Sequence, residues 1–163
     1  MRVGLALIAV VAVGCAGGAT GDLEELRQSK PKDMYFLGES FEGFQLEHAA
    51  PNFFVYGSCD PEPDSACGPP VQVQHIVYRS RDWQRAHGCR RAGTIRGVPA
   101  THHDSLITLT RGRFVKIYAT SDAQTKRAFE ALRSLDGQIE PGAALPPART
   151  GVIRAVLRAC SPP

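Results

Sequence analysis

Three consecutive residues, His102, His103 and Asp104, put two imidazoles and a carboxylate side by side, the donor types that bind zinc, copper or iron. His48, His75 and His87 are the remaining histidines and could complete a coordination shell. Neighbouring side chains on a strand point to opposite faces, so both imidazoles of the pair can reach one ion only from a loop. The trio also suits a solvated polar turn between two strands, and that simpler reading is preferred. His102, His103 and Asp104 stand as the candidates for metal binding or hydrolysis. His75 lies in VQVQHIVY beside Gln72 and Gln74, a pattern that predicts a wet sheet face. The chain has no GxSxG elbow for a catalytic serine and no glycine-rich phosphate loop. No cofactor is called for, and a binding role is favoured over catalysis.

The N-terminus says where such chemistry would operate. Arg2 precedes an apolar stretch from Val3 to Val13, and small residues lead into Cys15, the layout of a secretion signal. The stretch is well short of the roughly 20 residues that cross a bilayer. Ala12-Val13-Gly14-Cys15 resembles the lipobox of bacterial lipoproteins, with Ala12 where leucine is usual. The resemblance implies cleavage before Cys15, acyl chains such as palmitate on Cys15, and attachment to the periplasmic or extracellular face of the bacterial cell membrane. A single acyl chain binds reversibly, so stable anchoring implies several. Residues 1–14 are then a lipoprotein signal peptide, 15–32 a flexible tether and 33–163 one domain. The tether expectation comes from AGGATGD and the charged run behind it, in which DLEELRQ offers little apolar surface to hold a helix in place. As a flexible coil it would average about 23 Å and hold the domain clear of the membrane.

An exported chain permits disulfides, and with Cys15 set apart four cysteines remain: Cys59, Cys67, Cys89 and Cys160. Three pairings are possible. Cys59 with Cys67 is favoured, because the DPEPDSA between them holds two prolines and several turn formers; Cys89 then meets Cys160. Loop closure gives about 2.5 kcal/mol for the short bridge and about 4.4 kcal/mol for the long one. A four-cysteine zinc site is disfavoured, since no CxxC pair occurs.

The elements that must position these groups follow from periodicity and punctuation. Segments 34–37, 44–48, 53–56 and 71–78 are rich in aromatic and branched residues between Gly, Pro, Asn and Asp, and predict an antiparallel meander. A hairpin is predicted from Ser105–Thr110 and Arg113–Ala119 around Arg111-Gly112, with Ile107 and Leu109 on the same side as Val115 and Ile117. A helix from Asp122 to Leu135 would be capped by Ser121 and Gln124 and stopped by Gly137. Val152, Ile153, Val156, Leu157 and Cys160 recur at helical spacing, and a short helix is predicted over 81–87. Strands first and helices later predict an α+β domain, a mostly antiparallel sheet with helices on one face, stapled by disulfides.

Charge divides along the chain, with net −7 from Cys15 to His75 and +9 from Ile76 to Pro163. The basic half could face anionic lipid or an acidic envelope polymer, but complementing the acidic half within one fold is the simpler expectation. No nucleic-acid partner is expected, because no binding motif accompanies the arginines. MYFLGESFEGFQLEH, FFVYGSC and CGPPVQVQ, within Met34–Gln74, resemble uncharacterised exported proteins of high-GC bacteria, a likeness that carries no activity. The chain therefore reads as a membrane-anchored envelope lipoprotein that binds an unidentified envelope protein or anionic polymer. An envelope metal-binding protein or hydrolase built on the His102 cluster is the alternative.

Overall fold

The computed structural model describes residues 18–29, 31–58, 68–78, 89–103 and 105–161. Among these residues the elements run α1 (Gly18–Gln28), β1 (Tyr35–Phe36), β2 (Ser40–Phe41), β3 (Phe44–Ala50), β4 (Phe53–Tyr56), β5 (Val71–Ile76), β6 (Arg90–Ile95), β7 (Val98–His102), β8 (Leu106–Thr108), β9 (Phe114–Ala119), α2 (Asp122–Ala131), β10 (Arg133–Ser134) and α3 (Thr150–Ala159). Eight strands form an antiparallel sheet in the order β2-β3-β4-β5-β9-β8-β7-β6, and β1 pairs with β10 beside it. The fold is α+β. The predicted helix over 81–87 and the Cys59–Cys67 pair lie outside the described residues.

Alternation along the strands assigns the two faces. Phe54, Tyr56, Val71, Val73, Val115 and Ile117 share the main core with Leu23 and Leu26 of α1 and Ala128 and Phe129 of α2. A second cluster, on the opposite face of the β8–β9 hairpin, gathers Ile107, Leu109 and Phe114 under Val156 of α3. Helices α1 and α2 thus cover one face, and α3 packs against the other. The Cys89–Cys160 disulfide closes this cluster and ties the end of α3 to the start of β6.

Four expectations change. The tether gives way, over Gly18–Gln28, to helix α1, whose Leu23 and Leu26 are buried against the sheet; two leucines three apart were enough because β3 and β4 supply the apolar surface they lack. Residues 1–17 lie outside the described residues. The β8–β9 register pairs Ile107 with Lys116 and Thr108 with Val115, so Ile107 and Val115 face opposite ways. The connection spans Leu109–Arg113, and at its tip Gly112 (φ 77°) lies so close to Asp33 that an added Cβ would fall 2.7 Å from Oδ2.

Helix α2 begins as predicted, with Ser121 Oγ accepting the Gln124 amide and Gln124 Oε1 accepting the Thr120 amide at 3.0 Å. It ends at Ala131, not Leu135, because Arg133–Ser134 pair with β1. Arg96 enforces that stop by donating from one guanidinium to the carbonyls of Phe129, Leu132, Glu140 and Ala143. The fourth change is the unforeseen hairpin β6–β7. Arg96 (φ 47°) and Gly97 (φ 81°) form its two-residue turn, the paired positive angles of a type I′ connection. Gly93 and Pro99 dilute the strand signal on either side.

The halves of opposite charge do meet. Asp33 pairs with Arg111 (3.1 Å), and Glu42 takes hydrogen bonds from Arg127, which holds the Glu42 carboxyl below the usual carboxylate range. Among the described residues no helix is long and apolar enough to cross a membrane.

Candidate functional site

A groove of about 570 Å³ opens between α2 and the main-core face of β6–β9. Its floor is apolar, made by Ile95, Leu106, Ile117 and Ala119. Asp122, Lys126 and Glu130 stand along its helical wall, four residues apart and therefore one above another on a single side of α2. His102, from the end of β7, faces them and sits directly across from Leu106 of β8. A mixed charged and apolar lining of this size suits an amphipathic ligand that carries charged groups.

The histidines proposed as a shell are dispersed. His102 lines the groove, and the amide of His103 donates to the Ser105 carbonyl at 3.1 Å, turning the chain into β8. His48 lies on β3 with Nδ1 3.6 Å from Asp22 Oδ2 and its ring 5.2 Å from Phe53. Five strand steps separate β3 from β7, about 24 Å, so His48 and His102 cannot share an ion. Asp104 and His87 lie outside the described residues. Among the described residues no three His, Cys, Asp or Glu side chains come together as a metal site.

His75 corrects the wet-face expectation outright. It shares its strand face with Val71 and Val73, is only 5% exposed, and accepts the Tyr35 amide on Nε2 at 2.9 Å. Accepting on Nε2 requires a neutral ring with its proton on Nδ1, and that atom is buried with no partner among the described residues. The Phe54 and His75 rings meet nearly at right angles, centroids 5.8 Å apart. Burial, reinforced by Arg113, pushes the imidazole down from 6.5 to about 3. The polar band that the glutamines predicted does exist on the other face: Gln74 pairs with Lys116 and Gln72 with Tyr118, and the Lys116 ammonium lies 4.4 Å from the Tyr118 ring centre.

Of the proposed trio, His102 is the one described residue placed at the groove. The charged wall was legible only as a solvated helix face, since Asp122, Lys126 and Glu130 acquire a cleft to line when β6 and β7 form. Arg96, which also borders the groove, is committed to carbonyls and acts as scaffold. No family model matches the chain, and no curated protein or solved structure matches it either.

Proposed function

We propose that this protein is a membrane-anchored lipoprotein of the bacterial cell envelope that serves as a binding module, with the groove under α2 as its ligand site. The groove carries the binding part of this reading: it joins an apolar floor to an alternating charged wall beside His102. The signal-like N-terminus and its resemblance to a lipobox support export and anchoring at Cys15, and the Cys89–Cys160 disulfide is in keeping with an oxidising compartment. The partner is an envelope protein or polymer with apolar and charged groups together.

Two experiments test it. Intact mass and detergent partitioning of wild type and Cys15→Ala should reveal acyl chains that the variant lacks; an unmodified, water-soluble wild type defeats the anchoring. For the groove, Ala119→Trp fills the floor. A partner recovered from membranes with wild type should be lost with a folded Ala119→Trp, and equal recovery with both would remove the groove as the site. A hydrolytic reading of the same groove is favoured by one observation, that His102 and Ser105 line it together. Hydrolysis of an activated ester by wild type, abolished in His102→Ala, would replace binding by catalysis.

A further inference from the structure

We infer that the groove is held at the edge of the domain farthest from the membrane and opens to the aqueous envelope, while the edge formed by β3 and α1 faces the lipid headgroups. The inference rests on the acylation of Cys15 proposed above. Three residue steps separate Cys15 from the start of α1 at Gly18, a reach of at most about 11 Å even when fully extended. A lipid on Cys15 therefore brings α1 to the membrane surface.

Helix α1 is fixed to one edge of the sheet. Leu23 and Leu26 enter the main core, while Asp22 lies 3.6 Å from His48 and Arg27 3.8 Å from Glu39. His48 pairs with Val55 on the face away from the core residue Phe54. Asp22 thus meets a side chain of the far face, so the first turns of α1 lie around the β3 edge and not over the middle of the sheet. The strand wall of the groove belongs to β6–β9, at the other end of the strand order, while its helical wall α2 is tied by Gln124 and Arg127 to Glu42 of the β2–β3 turn, so the groove opens on the side of α2 away from that turn. Counted along the sheet from β3, the strands of the groove begin three steps away, about 14 Å, and end six steps away, about 29 Å.

Among the described side chains of α1 none invites insertion into the bilayer, since Glu24, Glu25, Arg27 and Gln28 are exposed. The short connection alone would hold this edge down. A ligand then comes from the aqueous side, as a soluble or wall-bound molecule with charged and apolar groups, and not as a lipid of the anchoring bilayer.

Collisional quenching tests the orientation in the full-length, acylated protein reconstituted in vesicles whose headgroups carry nitroxides. A fluorophore is attached at Glu24→Cys or at Lys126→Cys, with disulfides closed and the acyl mass verified. Quenching at position 24 should exceed that at 126 several-fold. A fifteen-residue Gly/Ser insert after Gly17 should remove the excess. Equal quenching at the two positions of an acylated protein, or stronger quenching at 126, overturns the inference. Absence of acyl mass is a separate failure: it removes the anchor itself and leaves the groove assignment to stand on the Ala119→Trp result.

Discussion

The buried imidazole of His75 should make this fold acid-sensitive by an amount that the sequence alone would assign to no residue. In the native state the ring is neutral, because Nε2 accepts the Tyr35 amide at 2.9 Å and burial holds its titration near 3. In the unfolded chain it titrates at its ordinary 6.5. Since the unfolded state binds the extra proton, stability is undiminished above 6.5, falls as pH drops from 6.5 toward 3, and loses nothing more from this residue below that. At pH 5 the loss is about 1.5 × 1.36, or about 2 kcal/mol. That figure depends on the unfolded value alone as long as the native one lies well below 5.

His75→Gln is the informative change, because its side-chain oxygen can accept the Tyr35 amide and never titrates. The variant should be weaker than wild type at pH 7 by about 1–2 kcal/mol from imperfect packing. Between pH 7 and pH 5 it should then lose about 2 kcal/mol less than wild type. In urea, with a slope of about 2 kcal/mol per molar, the wild-type midpoint should shift by about 1 M more than that of the variant over the same interval. Parallel losses in the two proteins would mean that His75 is protonated in the folded state, and the argument from burial would fail.

Other perturbations check the remaining supports. Leu23→Ala should cost about 2–4 kcal/mol in denaturant unfolding if α1 is docked, whereas a residue of a free tether would cost nothing. Arg96→Lys should destabilise by about 3 kcal/mol, because a single ammonium cannot span the four carbonyls that the guanidinium serves; stability within 0.5 kcal/mol or so of wild type would demote Arg96 to a surface residue. The Cys89→Ala/Cys160→Ala double variant should lose up to about 4 kcal/mol, since the bridge closes a separation of 71 residues, and reductant should then shift its midpoint much less than that of wild type. Gly112→Ala should cost more than 1 kcal/mol, as it needs a positive φ and meets Asp33; hydrogen exchange should place the opening at the Asp33–Arg111 contact.

The sequence by itself determined the fold class, most of the strands and the start of α2, and it favoured the Cys89–Cys160 pairing among three that the structure then decided. These rest on local signals: alternating apolar residues, a Ser121–Gln124 cap, and cysteine parity in a chain that reads as exported. Tertiary structure decided what depends on partners distant in the chain. DLEELRQ is a marginal helix alone, and only the surface of β3 and β4 makes Leu23 and Leu26 worth burying. The alternation in VQVQHIVY already puts His75 on the face of Val71 and Val73, so its burial was legible; only tertiary structure supplies its partner, the Tyr35 amide of β1 that Nε2 accepts. The end of α2 is set by Arg96, more than thirty residues earlier. The groove is the furthest from local reading, since its floor and walls come from four strands and a helix, none of which carries a motif, and it exists only once the sheet has ordered them.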